Sequence, residues 1–160
     1  FTIVAASPNN AHYQQFQKSQ MSDMTFYMPV WTRKEIHCVA EEQYMRYPLS
    51  KATLDARFDL FGGIPRCLFR QTDEVIPSPL EAQLNHAVAK LNLPTLERLS
   101  NPEVVNEWAD GSEMLVQSNP QLPRYDIYNT TWTSRQVANR ALDQLERNEA
   151  AISHYLAHLA

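Results

Sequence analysis

The chain has 160 residues, which is enough for about one domain with its own core. Hydrophobic residues make up 44% and charged residues 20%, as in an ordinary folded protein. The net charge is -4, and lysines and arginines are scattered, so charge gives no support for a nucleic-acid partner. No segment has the length and apolarity of a membrane span or the pattern of a signal peptide, so we expect no membrane partner.

The first residues form an apolar run, Phe1–Ala6, which is typical of a strand buried on both faces. Such a strand needs neighbours on both edges, and the sequence offers few other strands. We therefore expect the chain to be a fragment whose partner strands are encoded upstream. Ser7, followed by proline, can cap a short helix that we place at residues 9–18.

Helix caps and turn residues mark the next elements. The pattern predicts a strand at Thr25–Trp31, a helix from the capping box Thr32–Glu35 to about Tyr44, and a helix that starts at Ser50 and ends at Gly62-Gly63. Two lone cysteines, Cys38 and Cys67, weakly indicate a reducing compartment.

The C-terminal half reads as helical with one small strand patch. The pattern predicts a helix opened by the capping box Ser78–Glu81 and running to about Leu91, short helical turns over Asn92–Trp108 broken by Pro94 and Pro102, and strands at Glu113–Gln117 and Arg124–Thr131 separated by Asn119-Pro120. The last helix is predicted to open at Thr133, with Gln136 completing a capping box. Its apolar stripe is Val137, Ala141, Leu142, Leu145, Ile152, Tyr155, Leu156 and Leu159.

The block Gly62-Gly63-Ile64-Pro65-Arg66 is the most specific stretch, because it holds two of the three glycines. Paired glycines end a helix and let another backbone or a ligand come close. Pro65 fixes the exit of the turn, so Arg66 is projected from a rigid position that suits a phosphate. The alternative is a helix cap with an arginine in a surface salt bridge.

The order of four blocks resembles the Crinkler effectors of oomycetes and fungi and the retrotransposon-hot-spot proteins of trypanosomes. The blocks are Ser7-Pro8-Asn9, Tyr27-Met28-Pro29-Val30-Trp31-Thr32-Arg33-Lys34-Glu35, Arg57-Phe58 with Phe61-Gly62-Gly63-Ile64-Pro65-Arg66, and Trp132-Thr133-Ser134-Arg135-Gln136-Val137. The resemblance covers roughly residues 1–145.

The resemblance implies an α/β fold, rich in helix, that is the C-terminal portion of a P-loop NTPase. Residues 1–48 would end the NTPase core, and residues 49–160 would form a helical, lid-like region. Ser7 would lie near the first sensor position, and Arg66 would sense phosphate. The nucleotide would also contact Gly62, Gly63, Pro65 and, as a second choice of arginine, Arg57, whose alternative is a salt bridge to Asp59 or an upstream acid.

The phosphate-binding half of such an enzyme is absent. No G-x-x-x-x-G-K-[ST] loop occurs, and no apolar strand ends in paired acids that could hold Mg²⁺. We therefore expect ATP and Mg²⁺ to bind only the complete protein, with no cofactor and no ATPase activity for this chain alone. No metal site is predicted, because the histidines are dispersed and the pair His154 and His158 lacks a third ligand.

Partners and localisation follow from the resemblance alone. It implies a nucleotide bound through the missing N-terminal half, a host nuclear protein or an attached effector domain, and a secreted protein that reaches the host nucleus or cytoplasm. The alternative function is a non-catalytic helical module that binds another protein.

Overall fold

The computed structural model describes residues 27–42, 49–100 and 114–159. These residues form a helix-rich fold with one two-stranded antiparallel sheet, as the α-rich α/β prediction requires. In chain order the elements are α1 (Arg33–Glu42), α2 (Lys51–Phe61), α3 (Pro65–Leu68), α4 (Ser78–Ala89), α5 (Leu93–Ser100), β1 (Val116–Gln121), β2 (Arg124–Trp132) and α6 (Arg135–Leu159). The predictions for the strand Phe1–Ala6, for the helix at 9–18 and for Ser7 lie outside the described residues.

The segment before α1 has no regular secondary structure, so the prediction of a strand is wrong for residues 27–31. The backbone N–H of Tyr27 donates to the carbonyl of Tyr125, and that of Trp31 donates to the carbonyl of Gly63. These two isolated bonds tie the segment to separate parts of the fold, whereas a strand needs a continuous ladder along one neighbour.

The capping box before α1 is confirmed. Both the backbone N–H and the hydroxyl of Thr32 donate to a carboxylate oxygen of Glu35, at 2.7 and 2.8 Å, and the Glu35 N–H donates back to that hydroxyl. The cap of α2 is also confirmed, since Ser50 accepts from the N–H of Thr53 and Gly62 ends the helix. The start of α1 and both ends of α2 are therefore fixed by residues close in sequence.

Helix α4 is capped differently from the prediction. Ser78 is its first residue, and its N–H and hydroxyl both donate to the carboxylate of Glu74, at 2.6 and 2.9 Å. In α5, Pro94 lies in the first turn, where its missing N–H costs nothing, and Asn92 accepts from the N–H of Thr95. The predicted break at Pro94 is therefore wrong.

A hairpin of two strands is present as predicted, with Val116 opposite Trp132. Its first strand begins at Val116, so the prediction is wrong for Met114 and Leu115. The first strand runs through Asn119-Pro120, which the sequence analysis assigned to the turn. In the part of the chain that the structure describes, the sheet has two strands, so β1 is an edge strand, and an edge strand tolerates proline. This explains why the proline does not end the strand.

The long helix α6 begins one residue later than predicted. Ser134 is the cap, because its hydroxyl accepts from the N–H of Val137 at 3.1 Å and donates to the carbonyl of Leu60 at 2.8 Å. Thr133 is buried and its hydroxyl donates to the carbonyl of Met114. In the stripe, Val137 and Ala141 are buried as predicted, whereas Leu142 is 54% exposed.

Two groups of buried side chains hold the elements together. The larger group joins α2, α4, the hairpin and α6, and its members include Phe61, Leu80, Leu84, Leu91, Leu115, Val116, Val137 and Ala141. The smaller group consists of Ile36, Ala40, Leu54 and Leu68 and packs α1 on α2. The described residues on either side of position 48 thus share a core, and the predicted division of the chain there stays a prediction.

We predict that Ser134→Ala lowers the free energy of unfolding by about 1 kcal/mol, the usual loss for a helix cap. Gln136→Ala should change it by less than about 0.5 kcal/mol, because the exposed Gln136 is not three residues after the true cap. Urea unfolding of the 160-residue chain measures both. An equal loss in the two variants would place the cap at Thr133 instead.

Candidate functional site

The glycine pair after α2 lies where three segments of backbone meet. Gly62 has a φ of 64°, which favours glycine, and a Cβ there would overlap the carbonyl oxygen of Thr133. A Cβ on Gly63 would overlap the carbonyl of Trp31, whose N–H donates to the Gly63 carbonyl at 3.1 Å. The absence of both side chains therefore allows the segment before α1 and the start of α6 to pack against the turn. We call this contact the glycine crossing.

The glycine crossing joins three of the sequence blocks singled out above. The block that ends at Trp31 and the block around Thr133 approach the two glycines from different segments, and both glycines are buried. Protein backbone thus occupies the close approach that the glycines permit. A direct contact of Gly62 or Gly63 with nucleotide stays a prediction. Pro65 is the first residue of α3 and is half-buried.

The side chain of Arg57 is completely buried in the middle of the fold. Its guanidinium donates four hydrogen bonds to backbone carbonyls: to Val75 and Glu74 at 2.7 Å, to Arg70 at 2.7 Å and to Leu68 at 2.9 Å. Burial lowers the pKa of this guanidinium. These bonds hold the loop from α3 to α4 in place, an arrangement we call the Arg57 clamp.

The Arg57 clamp differs from both predicted roles of that arginine. Asp59, the suggested salt-bridge partner, pairs with Arg33 instead. Four of the five N–H groups of Arg57 already donate within the protein. The sequence offered one signal for such a role, since Arg57 occupies an apolar position in the spacing of Leu54, Phe58 and Phe61 along α2.

Arg66 lies on the surface in α3, at the edge of a cleft of about 300 Å³. Arg70 and Gln83 line the same cleft and are also exposed. Its floor consists of the buried side chains Cys67, Leu80 and Met114. The structure thus brings Arg66 together with a second arginine that sequence reasoning missed. Ser7, the other predicted sensor, lies outside the described residues.

A second polar cluster joins α1 to α2. Arg33 donates to Asp55 and Asp59, at 2.5 Å each, and its guanidinium lies 4.5 Å from the centre of the Phe58 ring. His37 contacts the same Asp55 oxygen through Nε2 at 2.9 Å. The hydrogen bond from Arg33, and then the contact with His37, lower the pKa of Asp55. The separation of 22 residues hid this pair from a reading of local motifs.

The described part of the chain shows neither a metal-binding cluster nor a membrane-spanning helix. No group of three or more His, Cys, Asp or Glu side chains comes together there to hold a metal ion. Among the helices that the structure describes, none has both the length and the apolarity to cross a bilayer.

Comparison with known proteins finds similarity to effector proteins of one kind, over less than half of the chain. The chain is 30% identical over 71 residues to Crinkler effector protein 15 of Phytophthora infestans, which is 44% of this chain and 11% of that protein. It is 31% identical over 68 residues to Crinkler effector protein 16 of the same organism, which is 42% of this chain and 10% of that protein.

The chain therefore spans about a tenth of the length of these curated relatives. No protein-family model matches the chain, and no solved structure matches it. The similarity supports the Crinkler part of the resemblance drawn from the motifs. Neither matched name refers to retrotransposon-hot-spot proteins or to a P-loop NTPase, so those parts stay predictions.

We predict that Arg57→Met lowers the free energy of unfolding by at least about 3 kcal/mol, because four hydrogen bonds to carbonyls are lost and hydrogen bonds to charged groups contribute about 1.5–3 kcal/mol each. Arg57→Lys should recover little, since an ammonium cannot reproduce the planar fork. Arg147→Met, on an exposed position of α6, is the control. Urea unfolding that shows less than about 1 kcal/mol of loss for Arg57→Met would contradict the clamp.

We predict that Asp55 makes the fold sensitive to acid. Its pKa is lower in the folded chain than in the unfolded one, so its contribution is complete above the unfolded pKa, about 3.9, and is lost as pH falls through the folded value. Asp55→Asn should destabilise the chain at pH 7 and flatten the loss below pH 5. The pKa values of Glu35, Glu74 and Asp126 are also lowered, so some acid dependence should remain.

The measurement for Asp55 is the free energy of unfolding by urea between pH 7 and pH 3. Asp143→Asn is the matched control, an exposed carboxylate on α6 that forms no ion pair with the described residues. If the pH profile of Asp55→Asn is parallel to that of the wild type, the Arg33–Asp55 contact contributes nothing to stability.

Proposed function

We propose that this chain is a segment of a secreted effector protein of the Crinkler kind. The two relatives are effector proteins by name, and the chain matches only about a tenth of each. We further propose that the complete protein acts in the host nucleus or cytoplasm. A host protein or an effector domain encoded elsewhere in the same protein is its proposed partner.

Within that protein, the proposed role of the segment is the sensor and lid side of an ATPase. ATP and Mg²⁺ would be held by the phosphate loop and acidic strand, which the chain lacks. The observation that carries the proposal is the position of Arg66, which is exposed at a cleft and lies in α3, directly after the glycine crossing. A guanidinium on an exposed side chain whose backbone is held in this way can approach a phosphate bound by another part of the protein.

The second candidate is a non-catalytic module that binds a protein. Large apolar side chains are exposed near the turn of the hairpin, where Met28 is 79%, Leu122 69% and Tyr125 45% accessible. The backbone N–H of Tyr27 donates to the carbonyl of Tyr125, which brings Met28 close to Tyr125. Exposed apolar groups that lie together favour a protein partner.

ATP turnover by the complete protein tests the proposed function. Arg66→Ala should lower turnover by about 10-fold or more, the lower end for arginines that stabilise charge in phosphoryl transfer. ATP binding should fall much less, because the phosphate loop supplies most ground-state contacts. Arg66→Lys should recover little activity. The 160-residue chain alone should release no phosphate.

Arg147→Ala is the control, and the melting temperature of each variant must first equal that of the wild type. If Arg66→Ala folds normally and hydrolyses ATP at the wild-type rate, Arg66 has no part in catalysis. If the complete protein binds no ATP at all, the protein-binding module is the better description.

A further inference from the structure

The cleft beside α3 combines a cationic rim with an apolar floor. The rim consists of the exposed side chains of Arg66, Arg70 and Gln83. The floor consists of the buried side chains of Cys67, Leu80 and Met114, which are 0%, 5% and 4% exposed. No carboxylate is among the described residues that line it. The rim of the cleft thus holds two guanidinium groups, in a chain whose net charge is -4.

This combination of charge and hydrogen-bonding groups selects an oxyanion. Two guanidiniums present planar forks of N–H donors that match the oxygens of a phosphate, and an amide adds two more donors. The apolar floor lowers the local dielectric constant, which strengthens each charge-assisted hydrogen bond.

The backbone that carries the two arginines is held in place before any ligand binds. The carbonyl of Arg70 accepts from Nη1 of the buried Arg57 at 2.7 Å. Arg66 lies in the short helix α3, in which the N–H of Phe69 donates to the carbonyl of Pro65 at 2.9 Å. The clamp and the helical turn therefore fix both Cα positions, so less conformational entropy is lost when an anion is bound.

The floor and the volume narrow the class of ligand. A volume of about 300 Å³ lies at the lower end for small-molecule pockets. It can take one phosphate group with a small apolar or aromatic group attached, and the side chains of Leu80 and Met114 would contact that attached group.

From this geometry we propose that the cleft is a binding site for a phosphomonoester, with Arg70 and Gln83 as ligands of the phosphate beside Arg66. The proposal shares Arg66 with the proposed function, and in that respect it rests on that function. It concerns binding by this chain itself, however, and requires neither the phosphate loop nor catalysis.

The test is a titration of the 160-residue chain at constant ionic strength, followed by ¹H–¹⁵N NMR that includes the arginine Nε–Hε signals. The probes are inorganic phosphate, phenyl phosphate and phenol. Signals of residues 66–70 should shift saturably with both phosphates, and phenyl phosphate should bind about 3-fold more tightly or better, as expected for a partly buried ring. Phenol should not bind.

Arg70→Gln should weaken phenyl phosphate binding by about 10-fold or more, the loss expected for one charge-assisted contact. Gln83→Ala should weaken it less, and Arg147→Gln, on the exposed face of α6, should leave it unchanged. Each variant must keep the dispersed spectrum of the folded chain. Shifts that do not saturate at tens of millimolar phosphate, or an equal loss in Arg147→Gln, would overturn the proposal.

Failure of this proposal and failure of the proposed function give different results. If the chain binds phenyl phosphate through Arg70 while Arg66→Ala leaves ATP turnover of the complete protein unchanged, the ATPase role is wrong and the site stands. If Arg66→Ala abolishes turnover but the chain binds no phosphate, the cleft is not a site of its own, and Arg66 acts only on a nucleotide held elsewhere.

Discussion

The close approach of three backbones at Gly62-Gly63 is the constraint on which the described fold depends. On one side the carbonyl of Trp31 lies where a side chain on Gly63 would be, and on the other the carbonyl of Thr133 lies where one on Gly62 would be. These contacts join the start of the described chain to its C-terminal helix. The hairpin is attached to the same contact, because the N–H of Thr133 donates to the carbonyl of Leu115, the residue before β1. Helix α3, which begins with Pro65 and Arg66, follows the crossing directly, so the same contact also sets the position of the cleft.

The Arg57 clamp answers a different need, which is to satisfy the carbonyls of a loop packed on the core. Removing a guanidinium from water is costly, and the described structure offers it no carboxylate in return. Its compensation is four carbonyl acceptors, and the hydrogen bond to one of them, the carbonyl of Leu68, is fully buried. The loop from α3 to α4 can therefore lack helix and strand while these four carbonyls still have hydrogen-bond donors. The Glu74 carboxylate completes it by accepting from the first residue of α4.

The elements whose signals are local could be predicted from sequence. The capping box at Thr32 and the limits of α2 at Ser50 and Gly62 depend on neighbours within four residues. The predictions were wrong where contacts between residues distant in sequence determine the local structure. Ser134 replaces Thr133 as the cap of α6 because the Thr133 hydroxyl is used by Met114, far back in the chain. Among the described residues, the segment before α1 pairs with no strand, which no local pattern reveals. Arg66 could be singled out from its motif, whereas Arg70 and Gln83 join it only through the packing of α4 beside α3.

A contact made through backbone atoms has a consequence for how such sequences diverge. At the glycine crossing the tightest contacts of the two glycines are with the main-chain carbonyls of Trp31 and Thr133, which every residue type possesses. Substitutions at those two positions would leave the contact itself intact, whereas either glycine can be replaced only if the whole crossing opens. Selection on this contact therefore acts on the two glycines and not on the side chains at positions 31 and 133. Paired substitutions across it should be rare, and the glycine pair should persist in relatives whose other residues have drifted too far apart to align.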